Sequence, residues 1–249
     1  MSRSVLLTAA VEDTEVVRSE LEKKKITPLH YPLERYEAVE ADENIVDTVE
    51  LMDEFENIVY GSKRNAWFFV EKIKAYGKLD EVREQLNLAV DQHTADYLES
   101  EGIPAVHPHS DGNSIDLVEF MLRIRRIGET LYPCGDKTAE DLPGLLKELD
   151  VPVEELVIFT LEGPKEEDLQ AYRKDLSAHE PEIVIFHSRR SVNRMLAAFP
   201  HLDVRTVRVL SGDRAVSEKL KAEGIEADIQ AEGSWDSILE KVDRIVSSK

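Results

Sequence analysis

The chain has 249 residues with 51 acidic and 31 basic side chains, and its formal net charge of −20 argues against nucleic acid as a partner. The single cysteine, Cys134, excludes an internal disulfide and is typical of a reducing compartment. The apolar run at the N-terminus is too short for a signal peptide, and no run approaches the length of a membrane span, so we expect a cytoplasmic protein.

Segments with strand-like and helix-like patterns alternate along the whole chain. Runs typical of buried strands occur at residues 5–8, 26–32, 58–60, 88–90, around 106, and at 130–132, 156–159, 184–186, 207–210 and 227–229. Amphipathic patterns typical of helices lie between them, for example over residues 44–55, 94–101 and 166–178. This alternation predicts an α/β fold with parallel sheets that helices cover on both faces.

Two distant segments, which we call the first elbow (Ile58–Ala66) and the second elbow (Val184–Val192), have nearly the same pattern. In each, an apolar run is followed by a serine, two cations and a helical pattern. The apolar positions after Ser62 and after Ser188 fall at the same offsets of +4, +7, +8 and +11. We therefore predict a strand, a tight turn and an amphipathic helix in both places, with each serine as the helix N-cap.

The paired cations are the unusual part of the two elbows. The serine of the first elbow is followed by Lys63 and Arg64. The serine of the second is followed by Arg189 and Arg190. Cations in the first turn of a helix are unfavourable, and a bound anion would explain them because backbone N–H groups also point outward there. The alternatives are a solvated helix face for the cations and simple capping for the serines.

The similarity of the two regions extends beyond the elbows. A glycine follows 11 residues after Asp91 and 11 residues after Asp213, and both segments carry a leucine at +7. Each glycine is followed by isoleucine, a short strand and a serine-led helix. We infer two copies of a β-α-β-α-β-α half, beginning near residues 57 and 182, and two compact α/β domains that each use one copy.

In order and spacing, these motifs resemble those of the uroporphyrinogen-III synthase family over essentially the whole chain. No single motif is specific to this family, whereas the complete set in this order is specific to it. The motifs are the first strand ending in Thr8, the first elbow, the segment of Asp91, Thr94, Ala95, Leu98 and Gly102, the turn Cys134-Gly135 with Leu142, the run Phe186-His187-Ser188, and the closing segment from Asp213 through Leu220 to Gly224.

The chain departs from the family pattern at several positions. Ala9 stands where the family has arginine, and Asp91 and Asp213 stand where it usually has glycine. Val216 replaces a threonine. Phe159 lies where the family often carries the tyrosine proposed to assist loss of hydroxide. The resemblance therefore identifies no catalytic residue in this chain, because a phenylalanine has no proton to donate.

The resemblance implies two flavodoxin-like parallel-sheet domains joined by a two-stranded hinge. One domain would comprise residues 1–36 together with 166–249, so that it is discontinuous in sequence. The other would be inserted into it and comprise residues 40–160. The connectors at 33–39 and 157–163 would run side by side as the hinge between the two domains.

The resemblance also implies the reaction. The substrate would be hydroxymethylbilane, a linear tetrapyrrole with an acetate and a propionate on every ring. Loss of hydroxide gives a reactive azafulvene, and the terminal ring then joins through its substituted carbon, so that the macrocycle closes with that ring inverted. Holding a flexible polyanion in one geometry would be the main task of the protein. The resemblance implies no cofactor, no metal and no membrane partner, and we expect a monomer.

The expected substrate-binding residues are the positions that match family motifs, together with the cation pairs. They are Thr8, Ser62, Lys63, Arg64, Asn65, Thr94, Gly135, Ser188, Arg189, Arg190 and Ser191. The two threonines are equally consistent with turn residues. For His187, a polar turn residue is favoured over an acid role, although its position directly before Ser188 makes the acid role conceivable.

Other features and functions are weaker alternatives. His107-Pro108-His109 has no cysteine partner and no convincingly spaced carboxylate, so a metal site is not favoured. Arg123, Arg125 and Arg126 could bind anions, but a charged helix end is favoured because cations suit a helix C-terminus. A catalytically silent tetrapyrrole-binding or anion-binding sensor of the same fold is the main competing function. A nucleotide-binding enzyme is disfavoured because no G-x-G-x-x-G or Walker pattern follows a strand. A receiver-like domain is discounted as well.

Overall fold

The chain divides into two compact units. Unit 1 comprises Met1–Arg35 and Glu162–Lys249, and unit 2 comprises Tyr36–Leu161. The structure is a computed structural model that describes residues 3–108, 114–124, 127–137 and 141–247. The expected residues His109, Arg125 and Arg126 lie outside these ranges.

Strands and helices alternate along both units. The strands are β1 (Arg3–Leu7), β2 (Ile26–His30), β3 (Arg35–Ala38), β4 (Asn57–Tyr60), β5 (Leu86–Ala89), β6 (Ala105–Val106), β7 (Thr130–Gly135), β8 (Val153–Glu162), β9 (Ile183–Phe186), β10 (Arg208–Ser211) and β11 (Ile229–Gln230). The helices are α1 (Val11–Lys23), α2 (Glu43–Glu50), α3 (Lys63–Tyr76), α4 (Leu79–Glu84), α5 (Gln92–Ser100), α6 (Ser114–Leu122), α7 (Leu142–Glu148), α8 (Glu166–Ala178), α9 (Arg189–Ala198), α10 (Arg214–Ala222) and α11 (Trp235–Ser247).

Unit 1 is built on a sheet with the strand order β11-β10-β9-β1-β2 in the described part of the chain. Each of its strand pairs is parallel. This is the order of a flavodoxin-like doubly wound sheet, in which the direction of winding reverses between β1 and β9. The predicted α/β class with parallel sheets is confirmed.

The alternation of side chains along the strands explains why helices cover both faces of the unit 1 sheet. On β1, Val5 and Leu7 join one buried cluster, whereas Leu6 joins the other. The first cluster includes side chains of α1 and α11, namely Val17, Leu21, Ile238 and Val242. The second includes side chains of α8, α9 and α10, namely Leu176, Val192, Met195, Val216 and Leu220. Each fully buried aliphatic side chain contributes about 1.5–3 kcal/mol.

Unit 2 is built on a sheet with the described order β3-β8-β7-β4-β5-β6. The strand pairs from β8 to β6 are parallel. Apart from the edge strand β3, this is the spatial arrangement of unit 1 with a permuted chain order. Strands β4-β5-β6 take the places of β9-β10-β11, and β7-β8 take those of β1-β2. The two copies inferred from the sequence therefore occupy equivalent places in the two sheets.

The core of unit 2 follows the same alternation. On β4, Ile58 and Tyr60 join one buried cluster, and Val59 joins the other. Side chains of α3 and α5 complete the first cluster, among them Phe69, Ile73 and Leu98. Side chains of α6 and α7 complete the second, among them Leu117, Met121, Leu142 and Leu146. The strand ends that carry the elbows are thus held between two packed layers.

Some element boundaries differ from the sequence-based prediction. The helix expected over residues 44–55 ends at Glu50 and is followed by a 3₁₀ turn over Met52–Glu54. Helix α4 was not predicted, because Val82 is the one residue of its short span that is buried and a single position carries no periodicity. Strand β8 extends further at both ends than the apolar run at 156–159.

Aspartate N-caps begin the equivalent helices α5 and α10. The Asp91 carboxylate accepts a hydrogen bond from Thr94 N at 2.7 Å, and the Asp213 carboxylate accepts one from Val216 N at 2.8 Å. We expect Asp91→Ala and Asp213→Ala each to lower the free energy of unfolding by about 1 kcal/mol, as urea titration would measure. Exposed Glu99 on α5 offers a control, since Glu99→Ala should change stability by less than about 0.5 kcal/mol. Equal effects of Asp91→Ala and Glu99→Ala would contradict the capping role.

None of the helices in the described ranges combines the length and the apolar composition needed to cross a bilayer.

Candidate functional site

Both elbows lie where the winding of their sheet reverses. In unit 1 this point lies between the carboxyl ends of β1 and β9, and in unit 2 between those of β7 and β4. In open parallel sheets, ligands bind in the crevice outside the carboxyl ends of the strands at this point. The elbows place a helix N-terminus, α9 or α3, at the same spot. Each unit therefore carries a candidate site at the reversal point of its sheet.

The first elbow is shaped by a cap between Ser62 and Asn65. Asn65 N donates to Ser62 Oγ at 3.2 Å, and Ser62 Oγ donates to Asn65 Oδ1 at 2.8 Å. The side chain of Asn65 is buried. The capping role predicted for Ser62 is confirmed, and the side chain of Asn65 supports that cap.

The second elbow forms a capping box between Ser188 and Ser191. Ser191 N donates to Ser188 Oγ, Ser188 N donates to Ser191 Oγ, and both distances are 3.1 Å. The Ser191 hydroxyl also donates to the Ser188 carbonyl at 2.7 Å. The predicted N-cap at Ser188 is confirmed. Because Ser191 is buried and its hydroxyl is engaged within the turn, this side chain shapes the elbow.

The cations of the first elbow lie close to aromatic rings. The guanidinium carbon of Arg64 lies 3.6 Å from the centroid of the Tyr36 ring, and Lys63 Nζ lies 5.8 Å from that of Tyr97. A guanidinium stacked on a ring is held by a cation–π interaction, while its N–H groups point outward in its own plane. Tyr36 therefore orients Arg64, a contact that the sequence did not reveal.

A buried carboxylate, Glu34, lies close to the cations of the second elbow and of the helix that follows it. Glu34, which is 5% exposed, has its Oε2 3.6 Å from His187 Nε2 and its Oε1 3.9 Å from Arg194 Nε. Burial alone would raise the pKa of Glu34, yet the facing His187, together with Arg194 and Arg190, holds that pKa below its ordinary value. Arg190 is half-buried beside this cluster, whereas Arg189 is exposed. Glu34 and Arg194 were missed by the sequence analysis.

Thr8 and Thr94, expected to bind substrate, are both buried. Thr8 follows β1, and its carbonyl accepts a hydrogen bond from Leu33 N at 2.9 Å. Thr94 lies in the first turn of α5, where its N–H is used by the Asp91 cap. Both hydroxyl oxygens are buried and have no hydrogen-bond partner within the described ranges. A buried hydroxyl without a partner costs about 1–3 kcal/mol.

Gly135 ends β7 next to Phe159 of β8. A Cβ atom at Gly135 would lie 2.4 Å from the Phe159 ring, so a larger residue would have to displace that ring. The two residues that follow are fixed to the neighbouring strand. The Asp136 carboxylate accepts a hydrogen bond from Leu161 N at 3.0 Å, and Lys137 Nζ donates to the Leu161 carbonyl at 3.2 Å. Lys137 adds a cation at this edge of the sheet. The sequence analysis did not select this residue, and its position just after a predicted strand is the one signal that could have identified it.

Phe159 is part of an aromatic cluster in unit 2. Its ring stacks on Phe68 at 4.6 Å between centroids and meets Tyr36 edge-on at 5.9 Å. Tyr36 in turn contacts Arg64 of the first elbow. Phe159 therefore supports the ring that orients a candidate binding cation, although its own side chain has no polar atom.

The comparisons with known proteins concern the family and the fold of the chain. Residues 15–236 match the sequence model of the family described as HEM4, uroporphyrinogen-III synthase HemD. No curated protein sequence matches the chain.

Solved structures of two synthases share the fold. A mutant uroporphyrinogen III synthase of the extremely thermophilic bacterium Thermus thermophilus is 19% identical, with 99% of this chain and 100% of that chain covered and a TM-score of 0.65. The uroporphyrinogen-III synthetase of Helicobacter pylori is 17% identical, with 98% and 100% covered and a TM-score of 0.66. At these identities the likeness establishes the fold, while the family match covers most of the sequence. The chain belongs to the uroporphyrinogen-III synthase family.

Proposed function

We propose that the chain is a uroporphyrinogen-III synthase that cyclises hydroxymethylbilane, with inversion of the terminal pyrrole ring and loss of water, in tetrapyrrole biosynthesis. The observation that carries this proposal is the family match over residues 15–236. The competing function, a silent binding protein of the same fold, is not favoured by that match.

The substrate carries carboxylates on every ring, and the reversal point of each sheet presents cations to them. In unit 1, Arg189 and Arg190 follow the Ser188 cap in the first turn of α9. In unit 2, Lys63 and Arg64 follow the Ser62 cap in the first turn of α3. Charge-assisted hydrogen bonds from such cations, together with the N–H groups of a helix N-terminus, suit carboxylates. We therefore assign the two elbows to substrate binding.

Positioning is the main contribution that these residues make to the reaction. A flexible bilane closes without inversion unless its ends are held, so fixed anchors for its carboxylates favour the inverted product. The serine caps and the stack of Arg64 on Tyr36 fix the anchors within each unit. This assignment includes Thr8 after β1, Gly135 at the end of β7 and Thr94 in the first turn of α5. The proposal also includes a discontinuous domain of residues 1–36 plus 166–249, an inserted domain of residues 40–160 and a hinge at 33–39 and 157–163. It further includes a monomeric state and a cytoplasmic location.

The proposed function is tested by supplying freshly prepared hydroxymethylbilane and separating the product isomers. We expect isomer III, formed with inversion, in amounts that grow with protein concentration. A no-protein reaction measures the spontaneous formation of isomer I. Production of isomer I alone, with or without the protein, would contradict the synthase assignment.

The cations of the second elbow should act mainly on substrate affinity. We expect Arg189→Ala/Arg190→Ala to raise KM by about tenfold or more, because each lost charge-assisted hydrogen bond to a carboxylate weakens binding by about 1.5–3 kcal/mol. Lys219 and Lys221, in the last turn of α10, provide a matched pair, and replacing both by alanine should leave KM unchanged. Equal KM values for the two double variants would show that the cations of the second elbow do not bind the substrate.

A further inference from the structure

A buried pair of titratable side chains lies at the reversal point of unit 1. Glu34, 5% exposed, follows β2, and His187, with a side chain that is 14% exposed, follows β9 directly. His187 Nε2 faces Glu34 Oε2 at 3.6 Å. Such pairs of a histidine and a buried carboxylate are costly to maintain, and they are common where a proton is transferred.

The imidazole of His187 is held in one orientation. Its ring stacks on that of Trp235, with 5.7 Å between centroids and 25° between planes. Gly212 approaches the backbone of His187 so closely that a Cβ there would lie 2.7 Å from the His187 carbonyl oxygen. The stack and the close backbone contact together fix both the ring and the chain that carries it.

The partner carboxylate lies next to two arginines. Arg194 Nε lies 3.9 Å from Glu34 Oε1, and Arg194 Nη1 donates to the Leu33 carbonyl at 2.6 Å. Arg190 contributes a further positive charge at the cluster. Among the described residues, Glu34 faces the imidazole, and His187, Arg194 and Arg190 act on the Glu34 carboxylate. Glu34 faces Nε2 of the imidazole, which leaves Nδ1 for another partner.

The second ring nitrogen of His187 is unused. Nδ1 is buried and has no hydrogen-bond partner within the described ranges. A protonated imidazole carries donors on both nitrogens, and a buried donor without an acceptor is unfavourable. The next residues along the chain are Ser188, Arg189 and Arg190 of the second elbow. Nδ1, which donates when the imidazole is protonated, therefore belongs to the residue directly before those that we assign to a carboxylate of the substrate.

From this geometry we propose that His187 is a catalytic acid, which donates its Nδ1 proton to the leaving hydroxyl group of hydroxymethylbilane. This inference rests on the proposed function. The proton passes to the hydroxyl oxygen, the carbon–oxygen bond breaks with its electron pair going to oxygen, and water leaves. The pyrrole nitrogen supplies the electron pair and keeps its own proton, so the intermediate is the cationic, N-protonated azafulvene. The neutral imidazole later accepts the proton that the ring carbon releases when the macrocycle regains aromatic pyrroles, which restores the starting state.

The test compares His187→Gln with wild type in the hydroxymethylbilane assay. Glutamine keeps a polar side chain of similar reach but cannot release a proton. We expect kcat to fall by about 100-fold or more, KM to stay within about threefold, and the product that forms to remain isomer III. The wild-type kcat should decline with rising pH, as expected for a reaction that needs a general acid, and the variant should lack this decline. Exposed His201 offers the control, since His201→Gln should behave as wild type.

The outcomes separate this inference from the proposed function. A variant with wild-type kcat and an unchanged pH profile would overturn the acid role while isomer III still formed. A rise in KM with kcat unchanged would overturn it too, because it would indicate a binding residue. If wild type formed isomer I alone, both proposals would fail. Should His187→Gln not fold, a pH-independent wild-type kcat would overturn the inference, and restoration of activity to His187→Ala by added imidazole would support it.

Discussion

Replacing Gly135 by alanine is expected to lower the free energy of unfolding by about 1–3 kcal/mol, the range typical of overpacked positions. The new Cβ would lie 2.4 Å from Phe159 Cε2 and 2.7 Å from Cζ. The ring has little room to move, because it stacks on Phe68 and contacts the edge of Tyr36. Urea titration measures this loss, and equal slopes of the unfolding free energy against urea concentration would show that only the stability has changed.

A second glycine provides the control for this prediction. A Cβ atom added at Gly163 would meet no neighbouring atom within 4 Å, so Gly163→Ala should change stability by less than about 0.5 kcal/mol. In a Phe159→Leu background, where the ring is absent, Gly135→Ala should cost less than in wild type. The difference is a coupling energy, which for residues in contact is about 0.5–3 kcal/mol. Strictly additive effects would show that the ring is not the cause.

Replacing Glu34 by glutamine is expected to lower the free energy of unfolding by about 1–3 kcal/mol near neutral pH. The change removes the negative charge that faces His187 and Arg194, so the largely buried guanidinium of Arg194 loses that counter-charge and the His187 ring loses that neighbouring carboxylate. Breaking a fully buried pair costs more than this, but both partners here retain some exposure to water. Thermal or urea unfolding measures the loss.

The same substitution should alter the acid limb of the stability curve. Because the pKa of Glu34 is lowered in the folded protein, its carboxylate stabilises the fold above the unfolded value of about 4.3, and this contribution is lost as pH falls through the folded pKa. The stability difference between wild type and Glu34→Gln should therefore shrink as pH falls below about 4.3 and through the lower folded pKa. Exposed Glu22 supplies the control, since Glu22→Gln should show a difference near zero throughout. A difference that does not change with pH would contradict this account.

The local parts of the molecule could be predicted from the sequence. An N-cap serine and the apolar spacing after it are properties of one short segment, and both elbows formed as expected, with Ser62 and Ser188 as caps. The duplication was also predictable, because equal spacings after Asp91 and Asp213 reflect equal helices. Such signals depend on neighbours within about two helical turns.

The composition of the candidate sites could be predicted only in part. Glu34, His187 and Trp235 are far apart in sequence and meet because parallel strands bring their carboxyl ends to one edge of the sheet. No local pattern marks Glu34, and the aromatic support of Arg64 by Tyr36 likewise depends on folding. For Asn65 and Ser191, a role in shaping the caps competes with the expected ligand role, because their polar atoms are used within the elbows.

The permuted strand order has a consequence for how the chain folds as it is synthesised. Unit 2 is one continuous stretch, so all of its strands are present once Leu161 has left the ribosome. Unit 1 begins first but ends last, since β1 lies between β2 and β9 and its partner β9 starts at Ile183. The apolar side chains of β1 therefore stay without one neighbouring strand until most of the protein has been made. Contiguous segments that emerge early fold first, so unit 2 should be native while the first strands of unit 1 still await their partner.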